Sequence, residues 1–395
     1  MASKIRILHI IETLGRGGAE ALLYTNLSRI DRERFEGLVC HLYERDFHWR
    51  HPIQQLGYPV VSLGMHSVSD APRGLFRLWK LLAQEQVDLI HTHLYGANFI
   101  GRLAGRLKRI PVVSSIHSVD YEPSLFGHDA FTAPWKLEGI RLLDRLSCLV
   151  AAPEFIAVSD YAKRSAMTHL EIPSHRIRVI YNSVDLAAFQ PYGTHAASLR
   201  AELGLAPDDP VVLCTARFHP EKGLRFLIEA IPLLVARFPR VRVLFVGSGS
   251  AEMQGFYAEL AERLGVTAHI KFLGVQSDVR PYLELCDVFV LPSLCEGLGL
   301  ALIEAMAMER ACVATRVAAL PEVVLDQETG LLVEPMDPKA LSEAIARLLA
   351  DPILRAKMGK LARGVAFRRF NIEHNIRELE ETYQSTLRRC VKGEA

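Results

Sequence analysis

Short runs of β-branched and aliphatic residues alternate with amphipathic helical stretches along nearly the whole chain, and this alternation limits the possible folds more than any other feature. Helices that alternate with strands act as crossovers and build doubly wound parallel sheets. A chain of 395 residues is too long for one hydrophobic core, and the alternation restarts at residue 211. The sequence therefore predicts an α/β protein of two doubly wound domains with a deep cleft between their carboxyl strand ends.

The predicted elements define the domain boundaries. The first half has predicted strands at residues 5–11, 38–43, 60–63, 89–93, 112–116, 155–158 and 178–181, with helices at 19–28, 73–84, 97–107 and 135–146. The second half has predicted strands at 211–215, 243–246, 270–273, 288–291 and 312–315. We therefore predict an N-terminal domain at 1–185, a Pro- and Gly-containing linker with a short helix at 186–210, and a C-terminal domain at 211–370.

Residues 293–307 carry the most informative local pattern. An apolar run ends at Pro292, a glycine-bearing turn holds Glu296, and a helix predicted to begin at Leu298 carries Glu304. Free backbone N–H groups and the positive end of a helix at such a turn favour a phosphate, and the two carboxylates could bind hydroxyl groups beside it. This pattern predicts a nucleotide-sugar site; the alternative is a solvated loop carboxylate followed by an ordinary surface helix.

Two cations, Arg217 and Lys222, follow the first predicted strand of the second half. Arginine can bind a diphosphate bidentately and lysine supplies a point charge, so together they would stabilise a departing diphosphate. The alternative is a pair of solvated surface charges. The sequence contains no Asp-x-Asp, which disfavours a metal-dependent diphosphate site of that type, and we predict neither a metal nor a cofactor.

Glycines and histidines mark the strand ends of the first half. Gly17 and Gly18 open the first predicted helix, where the backbone can approach an anionic ligand, but the pattern is not the dinucleotide fingerprint. His93 and His117 end the fourth and fifth strands and are expected to face the cleft. An imidazole there could donate a hydrogen bond to a sugar hydroxyl or a developing charge. The pair His91-x-His93 could instead bind a metal, although no carboxylate accompanies it nearby.

Charge and cysteine content exclude several functional classes. The net charge of +1 provides no global attraction for nucleic acid. Seven scattered cysteines form no Cys-x-x-Cys pair, which disfavours zinc and redox motifs. No signal peptide and no apolar run of membrane-spanning length is recognised, so a cytoplasmic location is predicted.

The predicted helix at 73–84 combines basic and apolar residues. Arg73, Arg77 and Lys80 line one helical edge among apolar neighbours that include Phe76 and Trp79. A second basic group consists of Arg102, Arg106, Lys108 and Arg109. Such helices can lie on anionic lipid, so we predict peripheral contact with the inner face of the cytoplasmic membrane. The alternative is an ordinary amphipathic helix with a solvated basic face.

In order and spacing, these motifs resemble the retaining GT-B glycosyltransferases of family 4, which act in bacterial polysaccharide and glycolipid assembly. The resemblance covers nearly the whole chain, and its most specific element is the Glu-x7-Glu motif of Glu296 and Glu304. The remaining motifs in matching order are Arg217 with Lys222, Gly247-Ser248-Gly249, Phe272-Leu273-Gly274 and Asn182-Ser183-Val184-Asp185. Ser183 replaces the family's usual glycine. The resemblance implies two Rossmann-like domains, the first completed by a C-terminal helix within 371–395.

The resemblance also implies roles for individual residues. Glu304 would bind the ribose hydroxyls, Glu296 the transferred sugar, and Arg217 with Lys222 the diphosphate. The implied catalytic residues are His117, Glu296, Arg217 and Lys222. The further implied donor-binding residues are Gly17, Gly18, Gly247, Val275, Gly297, Leu298, Gly299, Leu300 and Glu304. The acceptor-side candidates are Arg16, His93 and Asn98.

The activity implied is metal-independent transfer of a sugar, with retention, from a nucleotide sugar to a glycan or lipid-linked acceptor. A UDP-sugar is favoured over a GDP-sugar, and residues 118–132 would contribute to substrate choice. In the front-face displacement favoured for the family, the departing phosphate oxygen accepts the acceptor's proton. A nucleotide-sugar 2-epimerase is one alternative, and it would convert the donor without an acceptor. A non-catalytic sugar-nucleotide-binding module is another, although the charged positions named above are all intact.

Overall fold

The structure is a computed structural model that describes residues 4–117, 134–190 and 195–391. The chain divides into two compact units. Unit 1 consists of Met1–Ser183 with Ile372–Ala395, and unit 2 of Val184–Asn371. The final helix therefore belongs to unit 1, and residues 186–190 and 195–210 belong to unit 2.

Unit 1 is built on a seven-stranded parallel sheet with the order β3-β2-β1-β4-β5-β6-β7. Its strands are β1 Ile5–Ile11, β2 Phe35–Tyr43, β3 Val60–Met65, β4 Leu89–His93, β5 Val112–Ile116, β6 Glu154–Ala157 and β7 Ile177–Val179. Its helices are α1 Gly18–Arg29, α2 Arg50–Gln55, α3 Ala71–Gln84, α4 Tyr95–Lys108, α5 Pro134–Ala151, α6 Asp160–His169 and the final helix α15 Ile372–Val391. Single 3-10 turns lie at Val68–Asp70 and Ser174–Arg176.

Both faces of this sheet are covered, because alternate side chains of each strand point to opposite faces. On one face Ile7, Ile11 and Leu89 pack against α1 and against Ile376 and Tyr383 of α15. On the other face the intervening strand residues pack against α3 and α4. The second core explains the strongly amphipathic pattern of α3 and α4, and the first explains why α15 completes unit 1.

Unit 2 repeats the plan with a six-stranded parallel sheet in the order β10-β9-β8-β11-β12-β13. Its strands are β8 Val211–Thr215, β9 Arg242–Val246, β10 Ile270–Phe272, β11 Val288–Leu291, β12 Ala311–Thr315 and β13 Gly330–Val333. Its helices are α7 His195–Glu202, α8 Leu224–Arg237, α9 Ala251–Arg263, α10 Arg280–Leu285, α11 Leu300–Ala307, α12 Leu320–Val323, α13 Pro338–Ala350 and α14 Pro352–Arg369. Single 3-10 turns lie at Pro220–Lys222 and Thr267–His269.

The predicted α/β class with two parallel sheets is confirmed, while some elements differ from the prediction. The edge strand β13 was not predicted, because Gly330–Val333 is a short run beside glycine. Helix α11 begins at Leu300 rather than Leu298, because Gly299 has φ +87° and acts as the N-cap. The predicted substrate-selecting segment 118–132 lies outside the described residues. Among the described residues, no helix is both long and apolar enough to cross a bilayer.

Candidate active site

The order of strands in unit 2 reverses between β8 and β11. From β8 the chain adds β9 and then β10 on one side, and β11 returns to pair with the other side of β8. Ligands of open parallel sheets bind outside the carboxyl ends of the strands at such a switch point. The residues that follow β8 and β11 are Arg217, Lys222 and Glu296, three of the four residues predicted to be catalytic.

A glycine brings these two strand ends together. Gly223 has φ +62°, and a Cβ at this position would lie 2.0 Å from the carbonyl oxygen of Pro292. The turn after β8 can therefore approach the end of β11 only with glycine here. The Leu294 N–H also donates to the Glu221 carbonyl at 2.7 Å. These backbone contacts place Lys222 beside Glu296.

Lys222 and Glu296 form the central ion pair of the site. Lys222 Nζ donates to Glu296 Oε1 at 2.9 Å, and the same oxygen accepts a hydrogen bond from Ser293 Oγ at 2.8 Å. Both side chains are largely buried, with 15% and 13% of their surface exposed. Burial alone would lower the pKa of Lys222, but the charges of Glu296 and Glu221 outweigh it and hold that pKa above its usual value. The lysine is therefore a fixed cation at the switch point.

The start of α11 supplies unused hydrogen-bond donors. Within the described part of the chain, the backbone N–H groups of residues 297–301 donate no hydrogen bond. These residues include Gly297, Leu298, Gly299 and Leu300, all predicted to bind the donor. Unpaired N–H groups at a helix start carry a partial positive charge and bind anions. The turn and the lysine thus present positive charge at the carboxyl edge of the same sheet.

Glu304 lies on α11, one helical turn beyond Leu300. It is half-buried, and no hydrogen bond or ion pair joins its side chain to another described residue. Desolvation raises the pKa of Glu304 from 4.5 to about 7. A carboxylate that is held in a poorly solvated position without a partner is suited to accept hydrogen bonds from ligand hydroxyls.

The other predicted donor residues of unit 2 occupy the neighbouring strand ends. The side chain of Arg217 is 63% exposed and its guanidinium pairs with Glu221 at 2.9 Å, so it is the looser of the two cations. Gly247 follows β9 with φ +132°, and a Cβ there would lie 1.9 Å from the Ala216 carbonyl oxygen. The Gly247 N–H donates to the Gly274 carbonyl at 2.8 Å, which fixes the turn that exposes Val275.

In unit 1 the corresponding reversal lies between β1 and β4. Gly17 is the N-cap of α1 and Gly18 its first residue. A Cβ on Gly17 would lie 2.1 Å from Glu20 Oε2, so glycine is needed there for the Glu20 carboxylate to fold back and accept from Thr13 Oγ1 at 2.9 Å. Arg16 is on the surface and donates to His48 Nδ1 at 3.2 Å.

The two predicted strand-end histidines are joined to each other. His93 and His117 are linked by a ring-nitrogen hydrogen bond of 3.1 Å. The ring of His93 is tilted against that of His91, with 4.1 Å between the ring centroids. The nitrogens of His91 form hydrogen bonds with Tyr383 Oη at 2.6 Å and with Ser115 Oγ at 2.8 Å. Desolvation lowers the pKa of His117 to about 4 and that of His93 well below its usual value. Both imidazoles are therefore neutral at pH 7 and act through hydrogen bonds rather than charge.

His9 also lies beside His91 and His93, and the sequence analysis did not identify it. Ring nitrogens of His9, His91 and His93 lie within 4.8 Å of one another and form a candidate metal-ligating group within the described chain. Both ring nitrogens of His91 are engaged by Tyr383 and Ser115, so His91 could ligate a metal only by losing one of these bonds. The hydrogen-bonded network is the better description of this cluster.

The remaining acceptor-side candidate, Asn98, lies inside unit 1. Its side chain is 6% exposed, its Oδ1 accepts from Thr92 Oγ1 at 2.6 Å, and its Nδ2 donates to the Ser115 carbonyl at 3.2 Å. The amide therefore ties α4 to the ends of β4 and β5. An acceptor contact by Asn98 would require one of these bonds to break.

Sequence reasoning missed residues that hold the predicted ones in place. Ser293 fixes Glu296, and Thr315 Oγ1 in turn donates to the Ser293 carbonyl. Ser293 lies only three residues before Glu296, so the sequence motif could have indicated this contact. Tyr383, in contrast, is 292 residues from His91, and no local pattern could have paired them.

Comparison with known proteins agrees with this geometry. Residues 7–188 match the family described as Glycosyltransferase Family 4, and residues 209–351 match Glycosyl transferases group 1. A D-inositol 3-phosphate glycosyltransferase of Corynebacterium efficiens is 33% identical over 78% of this chain and 74% of its own length. The chain is a glycosyltransferase, and it belongs to family 4.

Two further relatives extend over nearly the whole chain. An Escherichia coli protein named UDP-Gal:alpha-D-GlcNAc-diphosphoundecaprenol alpha-1,3-galactosyltransferase is 25% identical over 96% of this chain and 97% of its own. The solved structure of Anabaena HepE in complex with UDP-glucose superposes with a TM-score of 0.85 at 23% identity, over 96% of this chain and 100% of that one. The predicted GT-B fold is confirmed.

Proposed function

We propose that this glycosyltransferase moves a sugar from a UDP-sugar to a glycan or lipid-linked acceptor, with retention of configuration and without a metal. The observation that carries the proposal is the pairing of Lys222 with Glu296 at the strand-order reversal, beside the unused N–H groups of residues 297–301. A fixed cation and a helix start can together hold a diphosphate. The donor choice is supported by the UDP-glucose of HepE and the UDP-galactose in the name of the Escherichia coli relative.

The chemistry follows from where charge develops. As the bond between the sugar and the diphosphate breaks, negative charge grows on the departing oxygen. Lys222 and the N–H groups at the start of α11 would stabilise this charge without reorganising, because the backbone around Gly223 and Gly299 fixes them. The departing phosphate oxygen would take the acceptor's proton, so the protein needs no strong general base. His117 would contribute a neutral hydrogen bond to the sugar.

We also propose roles in donor binding for the other predicted residues. Glu304 would accept hydrogen bonds from the ribose hydroxyls, and Glu296 from the transferred sugar. Arg217 would add a second contact to the diphosphate, for which its ion pair with Glu221 would have to open. Val275 and Gly247 would border the nucleobase side, and Gly17 and Gly18 would approach the donor phosphates.

A panel of UDP-, GDP- and ADP-sugars tests the donor proposal. In buffer containing EDTA, a UDP-sugar at a hundred times its Kd should stabilise the protein by about 2.7 kcal/mol, seen as a raised melting temperature. The GDP- and ADP-sugars should give smaller shifts. Stabilisation that appears only after a divalent metal is added would contradict the metal-independent mechanism.

The same donor without acceptor separates sugar transfer from epimerisation. A 2-epimerase would convert the bound UDP-sugar into its C2 epimer, which NMR of the recovered nucleotide sugar detects. A transferase should return the sugar nucleotide unchanged, apart from slow hydrolysis to UDP and free sugar.

The surface of α3 supports the proposed contact with the inner face of the cytoplasmic membrane. Phe76 and Trp79 are 55% and 43% exposed, and ammonium groups cover their rings, Lys80 over Phe76 and Lys108 over Trp79. Such a mixture of exposed aromatic and basic groups suits a lipid interface. The predicted second basic group needs a correction: Arg102 is buried and ion-paired with Asp144, so it is not part of the surface.

Replacing both Lys80 and Lys108 with glutamine should weaken binding to anionic vesicles about 30-fold, because each basic residue near such a surface contributes about 1 kcal/mol. Sedimentation with phosphatidylglycerol vesicles at low salt measures the effect. Phe256→Ala, an exposed aromatic of unit 2, is the control and should bind as the unchanged protein does. Equal binding by the lysine variant would remove the membrane proposal.

A further inference from the structure

Unit 1 contains a cavity of about 620 Å³ at the amino ends of its strands, the edge opposite to the predicted sugar-nucleotide contacts. Its wall is formed where β5 and β6 begin, where α4 and α5 end, and by the last turns of α15. Four arginines line it: Arg106, Arg109, Arg176 and Arg389. The mechanism of sugar transfer uses none of these residues.

Three of the four arginines have no acidic partner within the described chain. Glu154 is the acidic residue of the lining, and it pairs with Arg389. The guanidinium groups of Arg106, Arg109 and Arg176 make no hydrogen bond or ion pair with another described residue. Four arginines against one carboxylate leave three positive charges facing one cavity.

The negative carboxyl ends of nearby helices balance part of this positive charge but not all of it. The carboxyl ends of α4, α5 and α15 meet at the cavity, and each contributes about half a negative charge. Together they would offset about half of the excess. Arg176 is not placed to balance the negative end of a long helix, because it lies in the 3-10 turn Ser174–Arg176. The remaining positive charge is partly exposed to solvent and would attract an anionic ligand.

We propose that this cavity is a second anion site that takes a phosphate or diphosphate group. Arginine forks bind phosphate bidentately, and the volume suffices for a ligand larger than inorganic phosphate. The apolar residues Ile110, Pro111 and Val150 are also part of the lining, so a phosphate that carries an organic group fits. The ligand is either a soluble phosphate compound or the headgroup of an anionic lipid. This proposal does not depend on whether the proposed sugar transfer is correct.

Cys390 provides a local reporter, because it lines the cavity and is partly accessible. The experiment follows alkylation of Cys390 by N-ethylmaleimide in the full chain with peptide-resolved mass spectrometry. Inorganic pyrophosphate, added until its effect saturates, should slow the reaction at least about fivefold through occupancy of the cavity. The rate is compared with and without pyrophosphate for each protein, since charge changes also alter the unliganded rate.

The double substitution Arg109→Gln with Arg176→Gln should abolish this protection and leave the melting temperature unchanged, because neither side chain has a partner to lose. Arg263→Gln, on the surface of unit 2, is the matched control and should be protected as the unchanged protein is. The double variant keeps Lys222 and Glu296, so pyrophosphate bound at the predicted donor site cannot account for a loss of protection. If the double variant unfolds, Arg176→Gln alone replaces it, with a reduced protection expected.

Vesicles distinguish the two sources of phosphate. Protection by pyrophosphate identifies a site that soluble phosphates can fill. Protection by phosphatidylglycerol vesicles but not by pyrophosphate or phosphatidylcholine vesicles, lost in the double variant, identifies a lipid headgroup. If neither pyrophosphate nor phosphatidylglycerol slows alkylation, or if the double variant is protected as strongly as the unchanged protein, the cavity is not an anion site.

Discussion

Lys222→Ala is expected to lower kcat by about 10²- to 10³-fold while changing KM for the donor much less, the loss found when one donor to a developing negative charge is removed. Lys222 is held by Glu296 at 2.9 Å in a largely buried position, so its charge is in place before the reaction starts. An interaction that strengthens as the diphosphate departs appears in kcat, whereas uniform binding appears in KM. Steady-state kinetics with a saturating acceptor measures the two separately.

Two controls accompany this measurement. Lys360→Ala removes an exposed lysine of α14 and should leave both constants unchanged. The melting temperature of Lys222→Ala must also be compared with that of the parent, since Glu296 loses its partner. A variant that is folded and shows a raised KM with an unaltered kcat would reduce Lys222 to a ground-state anchor.

Glu304→Gln is expected to stabilise the unliganded protein at pH 8 and to weaken nucleotide binding. The folded-state pKa of Glu304 is about 7, above its ordinary 4.5, so the folded protein retains a proton that the unfolded chain has lost between these pH values. The contribution of the protonated Glu304 carboxyl to the free energy of unfolding is therefore fully present below pH 4.5. It is lost as the pH rises through 7. The neutral glutamine should recover up to about 3 kcal/mol at pH 8 and nothing near pH 4.5; partial solvation of the carboxyl group will reduce the gain.

Chemical denaturation at pH 8 and pH 5 measures this effect, with Glu259→Gln on the exposed face of α9 as the control. A gain at pH 8 equal to that of the control would show that Glu304 is well solvated.

The second half of the prediction concerns the ligand. A hydroxyl bound to a carboxylate is worth about 1 kcal/mol more than one bound to a neutral acceptor, so UDP should bind Glu304→Gln about five- to tenfold more weakly at pH 8. The affinity of the unchanged protein should also fall as the pH drops below 7, while that of the variant should not follow this titration. Calorimetry at the two pH values tests both statements. Unaltered affinity would exclude Glu304 from the ribose site.

The strands were the most predictable part of the fold. Five of them have the predicted bounds, among them β1, β5 and β11. Each is a run of aliphatic or β-branched residues that is buried in a parallel sheet, and such a run ends where turn residues begin. Helix α11 shows the limit of this approach. Its apolar sequence continues back through Leu298, and only the positive φ of Gly299 sets its start two residues later.

The candidate site was predictable as a set of residue types and not as a set of contacts. The bond between Lys222 and Glu296 joins residues 74 positions apart, and it forms because β11 pairs with β8 rather than with β10. The same reason hid His9, which meets His91 only through the pairing of β1 with β4. Strand order in a doubly wound sheet depends on how the crossovers pack, and a single sequence does not encode it in any local pattern.

The most direct test of the proposed donor site is a crystal structure determined from crystals grown with a UDP-sugar in the presence of EDTA. The proposed mechanism predicts that the diphosphate lies against the N–H groups of residues 297–301 and within hydrogen-bond distance of Lys222 Nζ. The ribose hydroxyls should contact Glu304, and no metal should lie between the phosphate oxygens. A nucleotide bound away from the carboxyl ends of β8 and β11, or a diphosphate that binds only when a divalent metal is restored, would contradict it.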